Sequence, residues 1–195
     1  ASGTPDPWLP HPTSPFVSET YGNNVDAYSD RGFPGFSTGD ERVSINGPDE
    51  FNYDYNLAQG PLATPSQLYA STVNLFYVNN WLHDYYYDSG FTEQAGNAQF
   101  VNYGRGGAGG DVLRAESQDS AFGDTFSPGA PPQLNNANMS VPADGVSPRM
   151  QMYLWSGRES VSLVVQPANV PLFTTGGQFG PQQFTASANL VLADD

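Results

Sequence analysis

Residues 64 to 90 read TPSQLYASTVNLFYVNNWLHDYYYDSG, a stretch in which start, body and stop signals agree on one element. Thr64 is a favourable N-cap, Pro65 suits the first helical position because its missing N–H would be unpaired there, and Gln67 completes a T-x-x-Q capping box. Ser89-Gly90 supplies the stop. The spacing predicts a helix to about Asp88, a rod of roughly 36 Å. Leu68, Leu75 and Leu82 fall on one side and Val73, Phe76, Trp81 and Tyr85 on others, the pattern of a helix buried nearly all round. His83 and Asp84 sit inside it, among the aromatic side chains between Phe76 and Phe91.

Before the helix, residues 1 to 63 carry proline at 5, 7, 10, 12, 15, 34, 48 and 61, which stops helices from propagating. This segment reads as an extended arm and β meander, with short strands at 42 to 45 and at FNYDYNL, 51 to 57, whose alternation predicts one buried face. Beyond the helix, AQFVNY (98 to 103), DVLRAESQD (111 to 119) and RMQMYLW (149 to 155) read as strands. The glycine-rich YGRGGAGGD between the first two lacks the Lys-Ser/Thr of a phosphate loop and reads as a tight turn. From about residue 159 the texture changes to SVSLVVQP and ANLVLAD. The expected organisation is therefore an arm and meander (1–63), a helix-plus-sheet body (64–158) and a β-rich segment (159–195) too short to bury a core alone.

The chain has 195 residues with 21 Gly and 17 Pro, yet 38% hydrophobic and 13% aromatic residues, which predicts a folded, loop-rich α+β protein. Twenty acidic residues against six arginines give a net charge of −14, without a single lysine. Nucleic acid and an anionic membrane surface are thereby excluded as expected partners. The acidic loops offer oxygens of the kind Ca²⁺ takes, though no set of ligands stands out over plain solvation. There is no cysteine, and the absence of an initiating Met suggests a processed product.

Nucleophilic catalysis would need a Ser-His-acid set, but the only histidines are His11, in the proline-rich arm, and His83, and no G-x-S-x-G elbow is present. Zinc chemistry would be signalled by H-E-x-x-H, which is absent. His83 and Asp84 lie about 100° apart on the helix, so a hydrogen-bonded core histidine outweighs a metal ligand. No spacing singles out a pair of carboxylates for glycosidase chemistry.

Several motifs in one order carry a resemblance. NLFYVNNWLHDYYYDSGFTEQAGNAQFVNYGRGGAGGD, then ESQD, then NNANMSVPADGVSPRMQMYLW is similar to the N-terminal subdomain of the fungalysin family of secreted zinc metallopeptidases. The similarity covers residues 50 to 156 well and, through TYGNNVDAY, reaches more loosely back to about 20. It implies a thermolysin-like N-terminal β-rich subdomain with one long buried helix. Residues 160 to 195 look like the first strands of a protease-associated domain, left incomplete. The resemblance also implies that Asn136, Ala137, Asn138 and Met139 form a substrate-binding edge strand. Neither catalytic residues nor metal ligands are carried over to this chain, because the family's H-E-x-x-H helix and downstream glutamate are not in it.

The function so implied is that of the N-terminal part of an extracellular zinc metalloendopeptidase. This chain, inactive alone, would form the cleft wall, with Zn²⁺ bound by a helix beyond residue 195 or in another chain. The expected partners are the C-terminal catalytic portion of the same precursor and a protein or peptide substrate. The alternative is a non-catalytic extracellular binding or structural protein that retains the peptidase half-fold.

Overall fold

In the computed structural model the helix, α1, runs Pro65–Asp88. The structure describes residues 6–13, 18–31, 35–122, 131–156, 162–165 and 170–173. The expected capping box does not form: Thr64 is extended but makes no side-chain cap bond. Gln67 turns to the preceding loop instead, its Oε1 accepting the Asn56 N–H at 2.7 Å and its Nε2 donating to the Asn56 carbonyl at 2.9 Å. At the other end Ser89 and Gly90 donate to the carbonyls of Tyr86 and Tyr87, and Gly90 takes φ +102°.

The helix is not buried all round. Its buried residues are Gln67, Leu68, Thr72, Phe76, Asn79, Asn80 and Asp84, one stripe at three- and four-residue spacing, while Tyr77, Trp81 and Tyr85 are more than half exposed. The stripe is mostly polar because its polar groups find partners. Asn80 donates to the Phe76 carbonyl at 2.9 Å and accepts from Asn24 at 3.3 Å, and the Thr72 and Ser117 hydroxyls meet at 2.6 Å. A buried group so paired loses little of what water offered it.

The stripe packs on a four-stranded sheet of order β1-β2-β4-β3, formed by β1 (Val25–Ser29), β2 (Leu113–Asp119), β3 (Ala137–Ser140) and β4 (Arg149–Tyr153). β1 and β4 both lie parallel to β2, and β3 pairs antiparallel with β4. The helix contacts β1 and β2, where Val25, Ala27, Phe76 and Ala115 form the apolar core. One helix on a mixed sheet is an α+β arrangement. β1 arises inside the segment read as arm and meander, and all five of its residues are buried. Asp26 is admitted there because Arg42 grips both of its carboxylate oxygens, at 2.6 and 2.9 Å.

Three expected strands are corrected. Residues 51 to 57 form no ladder: the Asn46 side chain takes the place of a partner strand by bonding both the N–H and the carbonyl of Asn52. Residues 98 to 103 are likewise irregular, their backbone held by Asn23, whose carbonyl accepts from Phe100 at 2.8 Å and whose Oδ1 accepts from Val101 at 2.9 Å. Residues 42 to 45 contribute only an isolated bridge, Ser44 to Glu19. The glycine-rich segment is the expected tight turn. A Cβ on Gly107, at φ +64°, would lie 1.9 Å from the Glu93 carbonyl oxygen, so only glycine fits.

The chain divides into two compact units, Ala1–Trp155 and Ser156–Asp195. In the second, β5 (Ser162–Val165) and β6 (Val170–Phe173) pair antiparallel with Leu163 opposite Leu172. The strand expected at ANLVLAD lies outside the described residues. Among those residues no helix is long and apolar enough to cross a membrane.

Candidate functional site

The four predicted site residues are consecutive, and three of them lie on one outer strand. Ala137, Asn138 and Met139 belong to β3, every residue of which is exposed, and Asn136 precedes it. Asn135, at φ +58°, turns the chain into the strand and donates its N–H to the Leu154 carbonyl at 2.7 Å. The Asn136 carbonyl then accepts the Tyr153 N–H at 3.3 Å, which fixes the phase of the ladder. Antiparallel main-chain groups alternate in direction, so Asn138 and Ser140 bond inward to Gln151 and Arg149. Ala137 and Met139 present theirs to the free edge. The Asn136 Oδ1 accepts the Ala137 N–H at 2.9 Å, and the Asn138 amide donates to the Tyr153 hydroxyl at 3.4 Å. Among the described residues nothing pairs with the Ala137 carbonyl or with either main-chain group of Met139, the donor and acceptors an extended chain needs.

The same alternation gives the sheet two different faces. Met139, Met150, Leu113 and Val25 point to the α1 side, where with Leu82, Tyr86 and Phe91 they line a cavity of about 280 Å³. His83 also lines it. Its Nδ1 stands 3.3 Å from Asp84 Oδ1 and its Nε2 3.5 Å from the Asn97 amide, while Asp84 Oδ2 accepts the Trp8 indole N–H at 2.8 Å. Burial pushes the His83 pKa down against the opposing pull of Asp84. A neutral ring that donates from Nδ1 to Asp84 and accepts from the Asn97 amide through Nε2 satisfies both contacts. A histidine so engaged is a positioned wall residue, and the pair that the helical angle seemed to separate is in contact.

The opposite face carries a cluster that sequence reading missed. Asp30, Glu116 and Asp119, all buried, bring ligand-type oxygens within 4.8 Å of one another, the one such acidic group among the described residues. A bulge at Gln118, φ +52°, turns Asp119 to the side of Glu116. Arg149 enters from β4, donating from Nε to Glu116 Oε2 at 2.7 Å, with its NH2 group 3.7 Å from Asp30 and 4.0 Å from Asp119. Tyr28 donates to the other Glu116 oxygen at 2.8 Å, Gly35 N–H to Asp30, and Gln151 to Asp119. Burial, then the charges of Glu116, Asp119 and Asp40, outweigh the Gly35 hydrogen bond and raise the Asp30 pKa to about 7. Burial likewise pushes Glu116 up, against the hydrogen bonds of Tyr28 and Arg149. All-carboxylate donors already bonded to N–H and O–H groups around a guanidinium are not a zinc set, which calls for nitrogen or sulfur ligands and an open position. The cluster is a hydrogen-bonded clamp in which three carboxylates share one guanidinium, joining β2, β4 and Asp30 just after β1. No sequence motif joins positions 30, 116, 119 and 149; only the parallel strand order does.

Comparison with known proteins matches the chain to the family of fungalysin metallopeptidases over residues 1–172. It is 34% identical over 154 residues to extracellular metalloproteinase 5 of Trichophyton tonsurans, covering 74% of this chain and 23% of that protein. Extracellular metalloproteinase 1 of Arthroderma gypseum is 36% identical over 141 residues, 71% of this chain and 20% of its own. Extracellular metalloproteinase 5 of Arthroderma otae is 33% identical over 175 residues, 84% of this chain and 24% of its own. The chain spans about a fifth to a quarter of the length of these relatives. It belongs to the fungalysin metallopeptidase family.

Proposed function

We propose that the chain is the N-terminal part of an extracellular zinc metalloendopeptidase, in which β3 forms one wall of the substrate cleft. The observation that carries this reading is the free edge of β3: the outward Ala137 carbonyl and Met139 N–H and carbonyl can hold a substrate backbone as an added strand, whatever its side chains. The Asn136 amide nitrogen, without a protein partner among the described residues, is placed to donate to the same backbone. In this reading the zinc ion is held by a helix beyond residue 195 or in another chain. This chain's part in peptide hydrolysis is to bind and orient the bond, and alone it is inactive. In the same reading residues 1–63 are the arm and meander, 64–158 the peptidase subdomain with its thermolysin-like helix and sheet, and 159–195 the opening of a protease-associated insertion.

A proline at position 139 removes the outward N–H without touching the inward ladder, a placement edge strands accept. Met139→Pro is expected to weaken binding of an end-capped polyalanine hexapeptide at least tenfold, measured by calorimetry, with unchanged circular dichroism. Undiminished binding would overturn the edge reading. Zinc stoichiometry and chelator-sensitive proteolysis of the protein purified from its source test the wider assignment, and a stable product with neither favours a non-catalytic binding protein.

A further inference from the structure

Residues 6 to 13 read DPWLPHPT and form neither helix nor strand, yet four of their side chains are anchored to the body. The Trp8 indole donates to Asp84 Oδ2 at 2.8 Å and stands edge-on to Tyr77, with ring centroids 5.5 Å apart. Leu9 packs against the apolar core. His11, 1% exposed, stacks on Tyr21 at 3.8 Å with Phe100 edge-on at 4.3 Å, and Asp6 pairs with Arg105, which also holds Glu93. The anchors fall on separate walls: Tyr77 and Asp84 belong to α1, Tyr21 to the chain just before β1, and Phe100 and Arg105 to the segments after the helix.

The attachment is made by side chains. Among the described residues the backbone of this segment makes one main-chain hydrogen bond to the body, from the Asn23 N–H to the Trp8 carbonyl at 3.3 Å. Pro7, Pro10 and Pro12 have no N–H to donate, so the segment cannot join the sheet. The same prolines restrict the undocked chain and so lower the entropy lost on docking. A segment held by so few backbone bonds opens at a cost well below that of global unfolding. Its seat is nonetheless shaped to it. A Cβ on Gly22 would overlap the Trp8 carbonyl oxygen, whereas Phe76 Cζ would lie at an ordinary 3.5 Å, and the backbone of Gly22 has no positive φ that alanine would refuse.

We propose that this seat is a recognition site for a proline-rich peptide bearing one tryptophan, and that residues 6–13 are its resident, detachable ligand. Proline-rich segments bind aromatic-lined surfaces in this way, through a pre-set backbone and a few rings. The tryptophan is selected because an indole both meets Tyr77 and donates to Asp84; phenylalanine has no N–H for that carboxylate. The position of His11 selects a flat ring and not its nitrogen, since Nε2 is buried without a partner. Docking also has a consequence inside the fold. Asp84 takes the indole on Oδ2 and faces His83 Nδ1 with Oδ1 at 3.3 Å, so the docked segment fixes Asp84 and, through it, the His83 ring in the wall of the cavity under β3. None of the seat residues belongs to β3, so the inference stands apart from the edge-strand reading.

The test uses the full chain with two anchors removed, Trp8→Ala/His11→Ala, and the end-capped octapeptide DPWLPHPT added in trans, with affinities from calorimetry. The octapeptide is expected to bind this variant at least about tenfold tighter than the native chain, whose site is already filled. Trp8→Phe in the peptide should weaken binding about tenfold, the worth of a hydrogen bond to a charged group, and His11→Phe in the peptide should not weaken it. Adding Gly22→Ala to the variant should abolish binding. The His83 ring signals in NMR should shift in the variant and return when the octapeptide saturates it. Gly22→Ala alone, which keeps every residue of the segment, should make chymotrypsin cleave after Trp8 at least about tenfold faster than in the native chain. Circular dichroism reports whether the variants fold. Binding that survives Gly22→Ala, or equal affinity of the tryptophan and phenylalanine peptides, overturns the seat. His83 signals that do not move overturn the link through Asp84. A folded variant that takes no peptide, or loss of the fold in both variants, shows residues 6–13 to be a fixed part of the core and overturns the proposal.

Discussion

The two faces of the four-stranded sheet solve burial in different ways. On the α1 side the sheet buries Val25, Ala27 and Ala115 against Phe76, and stability there comes from removing apolar surface from water. On the other side it buries Asp30, Glu116 and Asp119, and stability depends on Arg149 and on hydrogen bonds from Tyr28, Gly35 and Gln151. The first kind of stability is indifferent to pH. The second is not, because three carboxylates face one guanidinium.

Truncation of one residue on each face brings out the contrast. Phe76→Ala is expected to cost about 3–5 kcal/mol, the usual loss for a buried aromatic ring, by the same amount at pH 5 and pH 8. Arg149→Leu leaves the buried acids without their counter-charge; its guanidinium side chain is 30% exposed, which reduces the cost to about 2–4 kcal/mol at pH 8. That loss should shrink toward pH 5, where Asp30, with its pKa of about 7, has taken up a proton. Urea denaturation at the two pH values measures both, and a pH-independent loss in Arg149→Leu would show that the cluster is not the charged clamp described.

Asp30 isolates the cause of that pH dependence. Its pKa in the folded protein is about 7, against 3.8 ordinarily, so between those values the folded state holds a proton that the unfolded chain releases. Protonation therefore contributes stability that is complete below about pH 4 and is lost as pH rises through 7. Asp30→Asn keeps an acceptor for the Gly35 N–H and never ionises. The variant should be more stable than the native chain by about 2 kcal/mol at pH 8, part of the gain being offset by the lost attraction to Arg149, and no more stable at pH 4. A variant destabilised at pH 8 would mean that Asp30 works as a paired anion.

The helix ends and β4 were legible in the sequence because each is announced locally, by Pro65 and Ser89-Gly90 or by the alternation of Met150 and Met152, and β2 was read as a strand as well. The resemblance supplied the run that holds the β3 edge, which composition alone reads as an asparagine-rich turn. β1 escaped notice since VDAYS is buried throughout and has no alternation to find; its aspartate is satisfied by an arginine sixteen residues away. The converse error came at 51 to 57 and 98 to 103, where alternation was present but asparagine side chains had taken the backbone partners. The acidic cluster was beyond reach for a stronger reason. Its members meet only through a parallel sheet and a bulge, neither of which leaves a spacing rule in the chain.

The start of α1 tests how far the apolar side of the sheet depends on polar residues of its own. By motif, Thr64 is the important residue and Gln67 its accessory, and a lost N-cap costs about 1 kcal/mol. The structure reverses that order. The Thr64 hydroxyl makes no cap bond, so Thr64→Ala should cost only a few tenths of a kcal/mol. Gln67 is 1% exposed and holds both main-chain groups of the exposed Asn56, so Gln67→Ala removes two hydrogen bonds that tie the loop to the helix and should cost about 1–2 kcal/mol. Thermal denaturation of the two variants decides between the readings. If Thr64→Ala proves the more damaging, the capping box operates in solution and the loop at Asn56 is held by something other than Gln67.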